Sequence, residues 1–164
     1  MPVTVHNTEI QIQFETQGDN MVKKFEHVDL QHCAEILIAV YNNELWQCRW
    51  SKEIGEKYLK EIADNKRFVG FTLWNEGKLI GAIFCHEKTW WNNDEIFIDE
   101  MFILPEFQRQ GYGTELLNAV EEYISQNRLA GFTLTTNRYA PASCFYRKNG
   151  FCDADHVLYM YKEV

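Results

Sequence analysis

The sequence predicts a mixed α/β domain built around one layered core. Three observations carry that expectation. Segments with apolar residues at alternate positions interleave with segments whose apolar residues recur at helical spacing. No internal repeat, low-complexity tract or linker interrupts the pattern, and the three prolines are scattered. A stretch with two glycines, PEFQRQGYGTELL (residues 105–117), joins a proline-ended strand pattern to a helix pattern. The 164 residues read as a single domain, 1–164, on a prior of about 100–200 residues per domain. A domain of about 150 residues buries roughly 70% of its unfolded surface, so neither disulfide nor metal is needed to hold it.

The elements follow in order. EIQIQFET (9–16) alternates Ile10, Ile12 and Phe14 with polar residues, as a half-buried strand does. QGDN turns it and MVKKFEHV returns as a second strand, giving an N-terminal hairpin over residues 9–26. Asp29 is placed to cap a helix carrying Ile36, Leu37, Val40 and Tyr41. Ser51 is placed to cap a second, with Ile54, Tyr58, Leu59 and Ile62 on one side. RFVGFTLW and KLIGAIFCH are apolar strand runs joined by NEG, a hairpin signal, and EKTWWNND is a polar, aromatic connection. EIFIDEMFIL is a long strand ended by Pro105, which cannot continue a ladder. From Thr114, a helix carries Leu116, Leu117, Val120 and Ile124. GFTLTTN is a short strand, PASCFYRKNGF a helix entered at Pro141 and stopped by Gly150, and HVLYMYKEV a closing strand.

Composition narrows the function. The hydrophobic content of 46% and aromatic content of 15% belong to a globular chain. A net charge of −8, from 24 acidic against 16 basic residues, argues against a nucleic-acid or anionic-membrane partner. It suits a cationic substrate, although mild acidity also serves solubility alone. The five cysteines are odd in number and widely spaced, with no C-x-x-C, so no zinc site or disulfide framework is visible and reduced thiols are expected. MPVTVHNTEI lacks the basic and apolar regions of a signal peptide, and no apolar run approaches the about 18 residues of a membrane span. A cytoplasmic location is the expectation.

The glycine stretch admits three readings. A phosphate loop needs a lysine after the last glycine, but Thr114 follows Gly113. A dinucleotide fingerprint needs a third glycine where Leu116 stands. The third reading is Q-x-x-G-x-G: Gln108, Gly111 and Gly113 between a strand end and a helix start. There the helix N-terminus offers partial positive charge and small residues let an anion come close. An ordinary strand–turn–helix glycine pair remains the plain structural alternative.

With this loop on the page, the sequence resembles the GNAT superfamily of acetyl-CoA-dependent N-acetyltransferases. The loop matches that family's coenzyme A pyrophosphate motif, MFI (101–103) its pantetheine strand, TTN ending at Asn137 the next strand's exit, and CFYRKNGF (144–151) its FYxKxGF helix and turn. The resemblance implies a mostly antiparallel mixed sheet, splayed between its fourth and fifth core strands with helices on both faces, and coenzyme A in the opening. It implies donor contacts from Met101, Phe102 and Ile103 through their backbone, and from Gln108, Arg109, Gln110, Gly111, Tyr112, Gly113 and Thr114. Asn137 is placed to bond the pantetheine amides or else to cap a strand end. No metal is implied.

Amine acetylation needs a deprotonated amine, a polarised carbonyl, a stabilised oxyanion and a protonated leaving thiolate. The resemblance makes Tyr146 the acid for the thiolate; a phenol with a pKa of about 10 stays protonated at neutral pH. Phe145 is expected to fill the core in its place, and Cys144 to be a buried structural thiol. For the base, IDEM offers Asp99 and Glu100. Strand alternation places at most one of them in the acceptor cavity. Asp99 matches the IDQ strand of aminoglycoside 6′-N-acetyltransferases, while other family members favour the Glu100 position. The resemblance implies acceptor contacts from the first two helices and their connection, here NNELWQCRW, with Trp46 and Trp50 expected as a wall, Glu44 as a cation attractor, and Trp90 and Trp91 at a rim; helix-packing tryptophans are the plain alternative. The implied acceptor is a small cationic amine, aminoglycoside-like or polyamine-like. A protein lysine or N-terminus is the alternative acceptor, and a non-catalytic coenzyme A sensor the alternative class. Homodimers are common among related proteins.

Overall fold

The computed structural model describes residues 14–15 and 20–164, with side chains from residue 21 onward. Ile10 and Ile12 of the expected first strand lie outside the described residues. The chain divides into two compact units, Met1–Leu134 and Thr135–Val164.

The first unit holds one six-stranded sheet whose spatial order follows the chain. Its strands are β1 (Phe14–Glu15), β2 (Asn20–Lys24), β3 (Phe68–Asn75), β4 (Lys78–Lys88), β5 (Glu95–Ile103) and β6 (Phe132–Leu134). Neighbours from β1 to β5 pair antiparallel, and β5 pairs parallel with β6. The expected N-terminal hairpin is present in its described part, with Phe14 opposite Val22. The NEG hairpin turns on Glu76 and Gly77, both at positive φ (48° and 77°), the requirement of a tight turn between twisted strands.

Helices α1 (Leu30–Tyr41) and α2 (Lys52–Ala63) cover one face. Cys33, Ala34, Ile36, Leu37 and Val40 of α1 join Leu59 of α2 and Ala82, Phe84 and Phe102 of the sheet in one apolar cluster. Gly55 lets the two helices meet, since a Cβ there would stand 3.3 Å from Ile38 Cδ1. Ser51 caps α2 as expected, its Oγ accepting from the Ile54 N–H at 3.2 Å. Two details differ from expectation. Asp29 occupies the N-cap position of α1 but makes no side-chain cap bond, because a 3-10 turn over His27–Asp29 already leads into the helix with Asp29 in helical φ/ψ. Ile54 is exposed; the buried side of α2 runs through Gly55, Leu59 and Ala63 instead. α3 (Tyr112–Asn127) buries Leu116, Leu117, Ala119 and Val120. On β4 and β5 the side chains alternating away from the α1 cluster, Ile83, Cys85, Ile96 and Ile98, are buried as well, so both faces of the sheet are covered. Among the described residues no helix is long and apolar enough to cross a membrane.

In the second unit, α4 (Pro141–Lys148) starts on Pro141 and ends on Gly150 at φ 87°, as read from the sequence. Gly150 N–H donates to Arg147 O at 3.1 Å and Phe151 N–H to Tyr146 O at 3.1 Å, the paired closure of a glycine-terminated helix. The expected closing strand HVLYMYKEV is absent: residues 156–164 are exposed and in no strand. Alternation supplies a strand's two faces, but a strand exists only where a ladder satisfies its backbone.

Candidate active site

The site is organised by an irregularity in β5. Cys85 of β4 stands opposite Ile98, and the next pair is Phe84 opposite Glu100, so Asp99 faces no residue of β4. One strand has gained a residue there, the definition of a β-bulge. The bulge corrects the expectation that Asp99 and Glu100 point to opposite faces. Phe84, opposite Glu100, lies in the α1 cluster. His86, two residues on, shares its face, and Asp99 Oδ2 lies 2.7 Å from His86 Nδ1. Both carboxylates therefore serve the α1–α2 side of the sheet.

Glu100 is gripped at both oxygens. Tyr41 Oη, from the last residue of α1, donates to Oε2 at 2.8 Å, and Tyr58 Oη of α2 donates to Oε1 at 2.7 Å. Each tyrosine carries a tryptophan: Trp46 meets the Tyr41 ring edge-on at 5.3 Å between centroids, and Trp50 lies against Tyr58 at 5.0 Å. Trp46 and Trp50, singled out in the sequence, are thus brought to Glu100 through two tyrosines. The connecting loop is held by amides. Asn42 and Trp50 exchange two bonds of 2.8 Å, and Asn43 Oδ1 accepts from Leu45 N and Trp46 N at 2.9 and 3.0 Å. Glu44, Trp90 and Trp91 are exposed.

Burial raises the Glu100 carboxyl above its ordinary range, against the lowering effect of the Tyr58 and Tyr41 hydrogen bonds. Burial likewise raises Asp99, and the His86 hydrogen bond opposes it. The Tyr58 hydroxyl is pushed up, by burial first and then by the Glu100 charge, so it remains a donor. The groove lined by Leu30, Lys52, Glu53, Glu56, Lys57 and Lys60 includes none of these groups.

Past Ile98 the parallel ladder stops: β6 pairs only with Ile96, Phe97 and Ile98. Met101, Phe102 and Ile103 still pair with β4, at Ile83, Ala82 and Gly81. Their remaining edge has no β6 partner, which is the expected splay. At its end, Pro105–Phe107 forms a single 3-10 turn and the glycine loop follows. α3 begins at Tyr112, two residues before the expected Thr114, with Gly111 as N-cap at φ 92°. Arg109 is also at positive φ, 61°.

The loop side chains divide into two groups. Gln108 Nε2 donates to Ile103 O at 2.9 Å and ties the loop to the strand end, and Gln110 Nε2 donates to Glu106 O at 2.9 Å. Tyr112 is buried, edge-on to Phe107 at 6.0 Å between centroids, and its hydroxyl accepts from Asn75 Nδ2 at 3.2 Å. These three shape the loop, and the first turn of α3 closes with Thr114 N–H donating to Gly111 O at 2.9 Å, so the partial positive end of the helix lies at the loop. A Cβ built on Gly111 would meet no atom within 4 Å. The donor set and the open N-cap fit a pyrophosphate group. Among the described residues no group of His, Cys, Asp and Glu could hold a metal ion.

In the second unit, Asn137 Oδ1 accepts from Tyr139 N at 2.9 Å, which holds the turn after the expected strand exit. Tyr146 is buried, edge-on to Phe145 and Phe151 at 5.2 Å each, while Phe145 is only half-buried; the expected division of roles between them is reversed. Cys144 is exposed, not buried, because it falls on the outer side of a short helix whose buried positions are Ser143 and Tyr146.

Sequence reasoning missed three residues. Tyr41 and Tyr58 were visible only as members of apolar helix faces, and His86 only as the end of a strand. Their common signal was a polar atom on a buried face, which needs a partner.

The fold is of the mixed α/β type, with a six-stranded, mostly antiparallel sheet. The chain belongs to the Acetyltransferase (GNAT) family, whose model matches residues 30–151. Acetyl transfer is the general activity of that family. Three solved structures show how far the fold is shared. A possible acetyltransferase from Clostridium difficile is 17% identical with a TM-score of 0.73, over 88% of this chain and 98% of its own. A transcriptional regulator from Bacillus halodurans is 19% identical with a TM-score of 0.71, over 87% and 99%. AAC(6′)-Iy, in complex with the bisubstrate analogue CoA-S-monomethyl-acetylneamine, is 17% identical with a TM-score of 0.68, over 88% and 99%. At these identities the likeness is one of fold. No curated protein matches the sequence.

Proposed function

We propose that the chain transfers the acetyl group of acetyl-CoA to a primary amine of a small cationic acceptor, aminoglycoside-like or polyamine-like, by direct attack in a ternary complex. The observation that carries this reading is Glu100: a carboxylate held at both oxygens by Tyr41 and Tyr58, with Trp46 and Trp50 on those rings. Such a site suits an organic cation, for which it offers charge and aromatic faces together. The aminoglycoside derivative in AAC(6′)-Iy supports the same acceptor class.

The residues then divide the work. The loop and the first turn of α3, from Gln108 to Thr114, hold the donor's pyrophosphate, and the free edge of Met101–Ile103 aligns its pantetheine arm and polarises the carbonyl. Bound there, acetyl-CoA supplies the activated acyl group. The carboxylates of the bulge, Asp99 and Glu100, attract the ammonium and drive its deprotonation. Tyr146 protonates the thiolate.

Release of coenzyme A thiol with neamine and with spermidine tests the proposal. Amine-dependent release is expected with each probe that fits. Acetyl-CoA binding without release for any amine in a broad panel, including lysine peptides, would instead support a coenzyme A sensor.

A further inference from the structure

Asp99 does not stand alone on the bulge. Its Oδ2 is 2.7 Å from His86 Nδ1, and both side chains are partly exposed, Asp99 at 19% and His86 at 25%. The ring is fixed from a second side by Phe97, the residue opposite it in the ladder, at 5.5 Å between centroids and 39° between planes. From β3 the facing residue is Phe68, which is apolar. The charged groups on this face are Glu100 beside Asp99, and the Lys88–Glu95 pair, 3.5 Å apart, further along the same strands. The α-helices contribute the Tyr41 and Tyr58 hydroxyls, both already donating to Glu100.

An ionised carboxylate only accepts, so the imidazole nitrogen it meets carries a hydrogen. In the neutral ring that leaves Nε2 with a free lone pair. We propose that His86 is the proton acceptor for the amine and that Asp99 is its positioning residue, while Glu100 binds the cation. This deepens the acetyl-transfer reading and rests on it.

The step balances as follows. His86 Nε2 takes one proton from the ammonium and passes it to solvent; the neutral nitrogen then forms a bond to the thioester carbonyl carbon, and the second proton it sheds passes to Nε2. The carbon–sulfur bond breaks, the thiolate takes a proton from the acid, and the proton held on His86 restores the acid through solvent, for one proton released overall. The products are the amide and free thiol. His86 is the better base on this geometry because Asp99 already spends an oxygen on the ring, and Glu100 spends both on phenols.

The test has two arms. With neamine and spermidine as acceptors, His86→Gln is expected to lose at least about 100-fold in kcat, the ordinary scale of acid–base catalysis. Its acetyl-CoA affinity should stay within twofold, and the fall of kcat/KM toward acid pH that the proposal predicts for the wild type should vanish. Added imidazole should restore part of the turnover of His86→Ala, which a merely structural role would not allow. Unchanged kcat in His86→Gln, or an acid fall that survives in it but vanishes in Asp99→Asn, overturns the proposal in favour of Asp99 as the direct base. The second arm needs no turnover. Nitrogen-15 NMR of the wild-type protein should show neutral His86 protonated at Nδ1, with its Nε2 signal moved by spermidine. A proton on Nε2, or a signal indifferent to spermidine, overturns the proposal. If no amine releases thiol, acetyl transfer fails as the activity, and the NMR arm alone decides the dyad.

Discussion

At the scale of single residues, the site is governed by what buried carboxylates require. Glu100 cannot keep its charge on an apolar face without donors, and Tyr41 and Tyr58 are those donors. Burial holds the folded-state pKa of Glu100 above its ordinary value. The fold therefore binds that proton more tightly than the unfolded chain does. The resulting stability is complete below the ordinary carboxylate range and is lost as pH climbs through the raised value. Glu100→Gln cannot ionise, so its melting temperature relative to the wild type is expected to rise between about pH 4 and pH 8. Calorimetry across that range checks it, and a flat difference would contradict the burial argument. Tyr146→Phe is expected to lower kcat about tenfold or more, the effect of losing an acid, with acetyl-CoA affinity nearly intact. Titration calorimetry and thiol release measured together separate those two effects. The sequence named Asp99, Glu100, Trp46, Trp50 and Tyr146, but hydrogen-bond partners lie 42 and 59 positions away from Glu100 and leave no local pattern.

At the scale of elements, the bulge and the glycine loop do the positioning. An extra residue in β5 rotates Asp99 onto the side of Glu100 and His86, against the simple alternation that the sequence suggests. No sequence rule located it, because a bulge is a property of two strands' register and only one strand is visible at a time. The loop was legible, since glycine requirements are local. Gly111 sits at φ 92° as the N-cap of α3, a conformation that L side chains rarely adopt. Gly111→Ala is expected to cost about 1 kcal/mol in stability. It should also weaken acetyl-CoA binding by distorting the first turn of α3. Urea melts and acetyl-CoA titration measure the two losses, and normal binding by the variant would remove Gly111 from the cradle. The strand HVLYMYKEV was read from alternation alone and is not formed, for want of a ladder.

At the scale of the whole molecule, the net charge of −8 sets a field that favours approach of cations. For spermidine, kcat/KM is expected to fall several-fold as sodium chloride rises from about 20 mM to about 0.5 M, and less for a singly charged amine. Steady-state rates over that range check it, and equal salt dependence for both amines would assign the charge to solubility alone. The sequence by itself determined the element order as far as α4, the layered core, the glycine loop and, through four motifs in order, the family. Each of those is written in short-range periodicity or in backbone demands that a residue makes on its neighbours. Tertiary structure alone decided that two carboxylates share a face, that two tyrosines from different helices close on Glu100, and that His86 meets Asp99. Hydrogen bonds and burial depend on which distant groups the fold brings within about 3 Å, and the order of residues along the chain does not encode that distance.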